Sequence, residues 1–335
     1  MKIGFYGGKF LPLHVGHISC IIEASNQCDV LYVGLSHSKN RDKLLCNIFN
    51  FKYIPSRKRL QWLDQIASDL PNVKIIDFED LDGINYNSWE EGAKKVSYKV
   101  NGKIDVVFGS EKEYKEIFEK IYPNSKYIYL GRDRIDISST KIRKEGVFKN
   151  WEFIPTICKS YYNKKVVIVG TESVGKSSMT KKLAMYYNTA YVSEYGRTMC
   201  DKLNTGQPTK EYYPYIAYGH KMEEFNKNEI ANKLLFIDTE SITTQFYSKL
   251  YANTKYKVLN EISKLNDYDL WIYLEPDIKW VGDGLRIHGS STDRQSNNNV
   301  LKEMLISNDI KYICISGSYT ERFNSCIGLI DDIIK

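Results

Sequence analysis

Residues 164–178, which read KKVVIVGTESVGKSS, decide the fold of the second half of the chain. The apolar, β-branched run at 165–169 predicts a strand that is buried on both faces. This run leads directly into residues 170–177, which have the G-x-x-x-x-G-K-S spacing of a phosphate-binding loop.

The side chains of this loop explain its spacing. Gly170 and Gly175 allow backbone angles at which successive N–H groups turn inward around an anion. Lys176 adds a positive charge for the β- and γ-phosphates, and the Ser177 hydroxyl can bind Mg²⁺. A helix that begins near Lys176 would point its positive end at the same phosphates.

Composition limits the class of protein. The 335 residues, of which 42% are hydrophobic, suffice for two cores, and about 160 residues precede the loop. No apolar run reaches about 18 residues and Met1 leads directly into a strand, so neither a membrane span nor a signal peptide is expected. Seven cysteines without a C-x-x-C pair indicate reduced thiols in a cytoplasmic protein. The net charge is +6, and the lysines and arginines are interleaved with acidic residues along the chain, which disfavours a continuous basic surface for DNA.

The first half begins with a strand at 2–6, a glycine turn and a helical pattern from Gly16. His14 and His17 lie three residues apart, so they would face one pocket at the positive end of that helix. Imidazole N–H groups there can bind phosphate oxygens. A metal pair and a purely structural pair are the alternatives, although no Cys, Asp or Glu nearby completes a metal-ligand set.

A second polar segment, ISSTKIR at 137–143, stands late in the first half. The hydroxyls of Ser138 and Thr140 and the guanidinium of Arg143 suit a clamp on ATP phosphates at a helix start. An ordinary helix N-cap is the alternative.

Strands predicted at 29–35, 73–77, 104–108 and 126–130 alternate with helices, notably 57–67, which predicts a parallel, doubly wound sheet with ligands at the strand ends. Gly109 and Ser110 follow one such strand. Trp89 is predicted to lie in a loop, where its indole could stack on a pyridinium ring, and core packing is its alternative role.

In the second half, further strands are predicted at 190–193, 234–237, 270–274 and 311–315. Glu194 and Asp238 each follow a strand and are rival candidates for the general base and the Mg²⁺ ligand. Arg197 would meet a phosphate or the acid itself, and a surface ion pair is the alternative for Glu194 and Arg197.

Residues 281–294 are predicted to form a mobile lid. When this lid closes, Arg286 and Arg294 would bring positive charge close to the transferring phosphoryl group. A solvated loop is the alternative. The Ser316–Ser318 segment is predicted to support an adenine ring with its backbone.

These motifs resemble those of known enzymes. GGKFLPLHVGH and ISSTKIR together resemble the nucleotidyltransferase superfamily, which transfers adenylyl groups from ATP. With the segment ending in Trp89 and FGSE at 108–111, the first half resembles the nicotinamide-mononucleotide adenylyltransferase domain of the bifunctional NadR-type enzymes. The second half resembles their ribosylnicotinamide kinase domain, because GTESVGKS, EYGR, IDTESITT and DGLR stand in the same order.

The resemblance implies two reactions. Nicotinamide riboside would be phosphorylated by ATP in the second half, and the mononucleotide would then attack the α-phosphorus of ATP in the first half, giving NAD and pyrophosphate. In that family the nicotinamide stacks on a Trp, which is Trp89 here. Some members carry a helix-turn-helix repressor domain ahead of the first strand, but only Met1 precedes it here, so DNA binding is not expected.

The sequence thus predicts an α/β protein with two doubly wound parallel sheets, an H-x-G-H nucleotidyltransferase (Rossmann-like) at 1–150 and a P-loop kinase at 164–335, joined by a packed connector at 151–163. The predicted catalytic residues are Lys9, His14, His17, Arg143, Lys176, Glu194, Asp238 and Arg286. The predicted ATP-binding residues are Gly7, Gly8, Phe10, Gly16, Ser138, Thr140, Gly170, Glu172, Ser173, Gly175, Ser177, Ser178 and Arg294. The predicted substrate-binding residues are Ile84, Trp89, Gly109, Ser110, Tyr195 and Arg197, and the predicted Mg²⁺ ligands are Ser177 and Asp238.

The expected ligands are ATP, Mg²⁺, nicotinamide riboside, nicotinamide mononucleotide and NAD. Two alternatives remain open at this point: a coenzyme A synthase, which also joins an H-x-G-H transferase to a phosphate-loop kinase, and a catalytically silent NAD-responsive binding protein. The sequence leaves the oligomeric state open, and a homo-oligomer is compatible with it.

Overall fold

The computed structural model describes residues 1–80, 86–100, 102–131, 135–204, 208–280 and 290–335, with the backbone alone for 86–88. The chain divides into two compact units, Met1–Cys158 (the N-terminal unit) and Lys159–Lys335 (the C-terminal unit). This boundary falls inside the predicted connector at 151–163. The side chains of Trp151, Ile154 and Cys158 are buried, which is typical of a packed segment and not of a flexible linker.

The described part of the N-terminal unit contains one five-stranded sheet in which neighbouring strands are parallel. Its strands are β1 (Ile3–Gly8), β2 (Val30–His37), β3 (Val73–Glu79), β4 (Val106–Gly109) and β5 (Lys126–Tyr129). Their order across the sheet is β3-β2-β1-β4-β5. The chain winds outward from β1 first in one direction and then in the other, which leaves a crevice at the carboxyl ends of β1 and β4.

Helices connect these strands. They are α1 (Val15–Ser25), α2 (Lys39–Asn47), α3 (Ser56–Ser68), α4 (Tyr86–Lys99), α5 (Lys115–Ile121), α6 (Ser139–Glu145) and α7 (Thr156–Lys159), with 3₁₀ turns at Lys112–Tyr114 and Trp151–Phe153. Helix α3 extends one residue beyond each end of the helix predicted at 57–67. Its buried residues Arg59, Trp62 and Leu63 are three and four positions apart and so lie on one face of the helix.

The C-terminal unit has the same plan among its described residues, with a parallel five-stranded sheet. Its strands are β6 (Lys164–Val169), β7 (Tyr191–Val192), β8 (Leu234–Asp238), β9 (Leu270–Leu274) and β10 (Ile313–Ile315), in the order β10-β9-β6-β8-β7. Its helices are α8 (Lys176–Tyr186), α9 (Tyr195–Leu203), α10 (Tyr213–Ile230), α11 (Ser241–Ala252), α12 (Lys257–Ser263), α13 (Ser291–Ile306) and α14 (Tyr319–Ile333), with a 3₁₀ turn at Lys210–Tyr212.

The central strand β6 is buried on both faces. Val166 and Ile168 belong to the hydrophobic core on one side of the sheet, whereas Val167 and Val169 belong to the core on the other. This confirms the predicted α/β class with two doubly wound parallel sheets. Within the described residues, no helix combines the length and the apolar character that crossing a membrane requires.

The structure corrects the position of Trp89, which was predicted to lie in a loop. Trp89 lies in α4, and Ala93 and Val96 in that helix and Val100 directly after it follow at spacings of four, three and four residues and are buried. This 3.6-residue periodicity is a helix signal that the loop prediction overlooked. The predicted strand ends differ from the observed ones by no more than two residues.

The predicted lid at 281–294 is also corrected at its carboxyl end. The Ser290 hydroxyl accepts a hydrogen bond from the Asp293 N–H at 3.1 Å and so caps α13, which begins at Ser291. Arg294 therefore lies in a helix and not in a loop. Arg286, together with Ile84 of the predicted substrate site, lies outside the described residues.

Candidate functional site

The phosphate-binding loop follows β6 and ends at the first turn of α8. Gly170 and Gly175 have φ angles of 145° and 89°, in the region that favours glycine. A Cβ added at Gly170 would lie 2.7 Å from the Leu274 carbonyl oxygen, so glycine is also required there by space. Gly175 is the N-cap of α8, which places the loop at the positive end of that helix.

Lys176 and Ser177 face a deep pocket at this loop, here called the phosphate-loop pocket. The side chain of Lys176 is only 7% exposed, and its Nζ donates to the Thr171 carbonyl at 2.8 Å. The predicted residues that line the pocket are Glu172, Ser173, Gly175, Lys176, Ser177, Ser178, Glu194, Tyr195 and Arg197. The pocket is therefore built largely from residues that the sequence motifs identified.

Asp238 stands at the end of β8, beside the loop, and its carboxylate is buried. Burial, and after it the charge of Glu194, raise the pKa of Asp238 to about 6, although Lys176 and a hydrogen bond from Ser177 act in the opposite direction. The two predicted Mg²⁺ ligands thus meet. The described residues contain no group of three or more His, Cys, Asp or Glu side chains that could hold a metal ion without other ligands.

Glu194 differs from Asp238 in its surroundings. It precedes α9, is half-buried, and lines the phosphate-loop pocket itself, which Asp238 does not. Both acids line a neighbouring cleft together with Ser177 and Arg197. Of these two acids, Glu194 is therefore the one that lines the phosphate-loop pocket.

Aromatic residues that the sequence did not single out complete the pocket. They are Tyr213, Tyr247, Tyr251 and Tyr319, which line it together with Tyr195. The rings of Tyr247 and Tyr251 stack with centroids 5.9 Å apart, and the Tyr251 hydroxyl donates to the Glu172 carboxylate. Burial raises the pKa of Tyr247 well above its ordinary value, so its ring stays neutral.

His220 is a further residue that the sequence analysis missed. It lies in α10, is buried, and lines the pocket beside Thr239. Burial lowers its pKa, and its Nε2 lies 3.0 Å from the Thr239 carbonyl oxygen, a distance at which a neutral ring donates. A lone histidine inside a helix carries no local sequence signal that it lines a pocket.

The Arg294 guanidinium donates to the Ile278 carbonyl at 3.0 Å, so its side chain joins α13 to the segment that follows β9.

In the N-terminal unit, the two histidines lie together at the start of α1. This helix begins at Val15, one residue earlier than predicted, with His14 as its N-cap. The rings of His14 and His17 stack with centroids 3.7 Å apart, and the His17 Nδ1 accepts the His14 backbone N–H at 3.3 Å. They line a small cleft, here called the histidine cleft, with Tyr6, Gly16, Ser110 and Ile137.

The ISSTKIR segment lies behind this cleft. The Ser138 hydroxyl accepts the Lys141 N–H at 3.1 Å and so caps α6. This is the ordinary helix N-cap that the sequence offered as the alternative to an ATP contact for Ser138. The Arg143 guanidinium donates to the Leu11 carbonyl and to the Thr140 hydroxyl, the latter at 3.0 Å. Arg143 is 8% exposed and braces the loop ahead of His14. Its predicted contact with a phosphate stays a prediction.

Lys9 belongs to a charge network that the sequence did not reveal. Its Nζ lies 3.2 Å from Asp42 and 3.6 Å from Asp80. Asp42 is fully buried against the equally buried Arg59, which also donates to the Lys9 carbonyl at 2.6 Å. Arg41 pairs with Asp80 at 3.3 Å. The predicted residue Phe10, in the same turn, is buried and packs edge-on against His17.

Asp42→Asn is expected to destabilise the N-terminal unit by about 3–5 kcal/mol, because it leaves the Arg59 charge buried without its counter-ion. Differential scanning calorimetry would measure this as a lower midpoint for one transition. Asp80→Asn is the matched control, since its cationic partners Lys9 and Arg41 are 22% and 21% exposed and their charges can be screened by solvent. If both variants lowered the unfolding midpoint equally, burial of the Asp42–Arg59 pair would not explain the loss of stability.

A third pocket, here called the Trp89 pocket, adjoins the histidine cleft. Both are lined by Ser110, and the pocket is also lined by the predicted residues Gly7, Gly8, Lys9, Trp89 and Gly109. The Trp89 ring lies 5.1 Å from the Tyr114 ring and 5.5 Å from the Phe118 ring, measured between centroids. Trp89 is half-buried, so it both packs and borders the pocket.

Comparisons with known proteins agree with this architecture. Residues 5–145 match the cytidylyltransferase-like family, and residues 165–322 match the AAA domain family. Two solved NadR protein structures, one in complex with NR and one with NAD and AMP-PNP, share the fold with TM-scores of 0.79 and 0.78. Each is 22% identical in sequence and covers 99% of this chain and 95% of its own.

Sequence similarity extends over the same range. The trifunctional NAD biosynthesis/regulator protein NadR of Escherichia coli strain K12 is 33% identical over 343 residues, covering 99% of this chain and 83% of that protein. The match runs through both units and so through both sites. The resemblance read from the motifs is confirmed, and the chain belongs to the NadR family of NAD biosynthesis proteins.

Proposed function

We propose that this chain is a bifunctional enzyme of NAD biosynthesis, with a ribosylnicotinamide kinase at 164–335 and a nicotinamide-mononucleotide adenylyltransferase at 1–150, joined by 151–163. The observation that carries the proposal is that one NadR-family chain contains both a phosphate loop facing an aromatic pocket and a histidine cleft adjoining a second aromatic pocket. The ligands of the solved NadR structures, namely NR, NAD and AMP-PNP, support the choice of substrates.

In the kinase, the phosphate loop would hold ATP so that its γ-phosphoryl group faces the riboside hydroxyl. A bond forms between that hydroxyl oxygen and the γ-phosphorus, the bond to the β-phosphate oxygen breaks, and ADP leaves. Glu194 would take the hydroxyl proton, because it lines the pocket whereas Asp238 does not, and the other lining acid, Glu172, already accepts the Tyr251 hydroxyl. Lys176 would stabilise the charge that spreads over the transferring oxygens.

Ser177 and Asp238 suit Mg²⁺, since their oxygen atoms meet at the loop and hard cations prefer oxygen ligands. When bound there, Mg²⁺ would neutralise charge on the β- and γ-phosphates. The tyrosine rings of the pocket offer π-faces to the cationic pyridinium of the riboside.

In the adenylyltransferase, the nucleotide phosphate would attack the α-phosphorus of ATP, and pyrophosphate would leave. Because His17 Nδ1 accepts a backbone N–H, its neutral ring carries the proton on Nε2 and can donate to a phosphate oxygen. Trp89 would stack on the nicotinamide ring in the adjoining pocket. The protein mainly positions and neutralises the reactants, so no covalent nucleophile is required.

A cytoplasmic location is part of this proposal, and seven free thiols are compatible with a reducing compartment. The proposal includes no DNA-binding role for the residues present here.

A substrate comparison tests the proposal. The purified chain is expected to phosphorylate nicotinamide riboside with ATP and to release pyrophosphate when given ATP and nicotinamide mononucleotide. Dephospho-coenzyme A serves as the competing kinase substrate. Turnover of dephospho-coenzyme A alone would favour the coenzyme A synthase alternative, and binding of NAD without either turnover would favour a silent binding protein.

A further inference from the structure

A buried arginine on the last helix of the C-terminal unit makes an unusual set of contacts. Arg322 lies in α14 and is 1% exposed. Its guanidinium donates to three backbone carbonyls, those of Gly317 at 2.8 Å, Val174 at 3.0 Å and Glu275 at 2.8 Å. It also pairs with the Asp277 carboxylate. One side chain therefore joins three segments that are far apart in the sequence.

The contact with Val174 reaches into the phosphate-binding loop. Val174 lies between Ser173 and Gly175, whose φ angles are 56° and 89°. A loop that turns its N–H groups inward around an anion must turn carbonyl groups outward. The Val174 carbonyl is such a group, and Arg322 fixes it with a charged donor, which is roughly twice as strong as a neutral one.

The other contacts lie on two segments that run beside the phosphate loop, since a Cβ added at Gly175 would lie 3.6 Å from both Ile278 and Tyr319. Glu275 and Asp277 follow β9, and Gly317 follows β10. Asp277 also accepts the Gly317 N–H at 2.7 Å, so these two segments are tied to each other as well as to Arg322. Two of their neighbours, Lys279 and Tyr319, line the phosphate-loop pocket.

We propose that Arg322 is a positioning residue for ATP in the C-terminal unit. It holds the phosphate loop at a fixed distance from the segments after β9 and β10, where the adenine end of the nucleotide would lie, without touching the nucleotide itself. This inference rests on the proposed kinase function, because ATP is taken as the ligand of the pocket.

The geometry requires arginine at this position. A planar guanidinium offers five N–H donors in a fixed fork, whereas the three donors of a lysine share one nitrogen atom. Lysine could keep the charge and the pairing with Asp277, but it could not reach all three carbonyls at once. Arg322→Lys is therefore the variant that separates charge from geometry.

The test uses the full-length chain and the variants Arg322→Lys, Asp277→Asn and Lys302→Met. Steady-state phosphorylation would be measured with ATP and nicotinamide riboside varied separately. AMP-PNP binding would be measured by calorimetry with NAD in excess, so that the adenylyltransferase site is occupied and the signal comes from the C-terminal unit. Arg322→Lys is expected to raise the KM for ATP and the Kd for AMP-PNP about tenfold, which is the size of effect expected from the loss of one or two hydrogen bonds. The KM for the riboside is expected to change little. Asp277→Asn, which removes the charge of a 39% exposed partner and leaves the three carbonyl contacts of Arg322 in place, is expected to change both constants in the same direction but less.

Lys302→Met is the matched control, because Lys302 pairs with the Glu275 side chain at 2.6 Å while leaving its carbonyl to Arg322. It is expected to leave the KM for ATP unchanged. Unchanged ATP and AMP-PNP constants in Arg322→Lys, or equal increases in the KM values of both substrates, would overturn the inference. If the unmodified chain binds AMP-PNP but does not phosphorylate the riboside, the proposed function fails while the binding data still decide the role of Arg322.

Discussion

Lys176→Ala is expected to lower riboside phosphorylation by at least about 100-fold, the loss typical of removing one donor that stabilises transition-state charge. Lys176 is the buried cation of the phosphate-loop pocket, and its Nζ is held at the loop by the Thr171 carbonyl. Adenylyl transfer to supplied nicotinamide mononucleotide should be largely retained, because that site lies in the other compact unit. Both rates can be measured on one preparation, by coupled ADP release and by pyrophosphate release.

Lys264→Ala provides the control for this experiment. Lys264 is in the same unit, but it is 68% exposed and pairs with the similarly exposed Glu261. It should change neither rate, because such surface pairs contribute little. A Lys176 variant that lost both activities equally would show that the two units do not work as separable enzymes.

The sequence predicted those parts of the sites that are local in the chain. The loop from Gly170 to Ser177 and the His14–His17 pair were identified because their spacing is fixed by a strand, a turn and a helix start. The parallel sheets were predictable for the same reason, since strands buried on both faces are continuous apolar runs. Such features depend on neighbours within about ten residues.

Contacts between distant residues could not be predicted in this way. Asp42 and Arg59 are separated by 17 residues and meet only after two helices pack on the sheet. Arg322 reaches Val174 across 148 residues. Neither arginine carries a local sequence signal that separates it from an exposed arginine such as Arg57, and burial distinguishes them only in the folded structure. Trp89 is a different case, because its helix was readable from the periodicity of the residues that follow.

His17→Ala is expected to give the reciprocal result, a loss of adenylyl transfer of about 100-fold or more with riboside phosphorylation retained. The substitution removes the Nε2–H donor from the histidine cleft and also the ring that stacks on His14. The donor should matter most when charge builds on the phosphates of ATP, so the effect is expected mainly in kcat. Pyrophosphate release with saturating ATP and mononucleotide would measure it.

Ile22→Ala is the control on the same helix, because Ile22 is 44% exposed and lies outside the histidine cleft. Its adenylyl transfer should match that of the unmodified chain. If it fell as far as that of His17→Ala, the loss would reflect a weakened α1 and not a missing donor. If His17→Ala kept full activity, the histidines would be a structural pair, and charge stabilisation would have to come from other residues near the cleft. Opposite losses in the Lys176 and His17 variants would assign one reaction to each unit, because neither substitution could then act through a defect common to the whole chain.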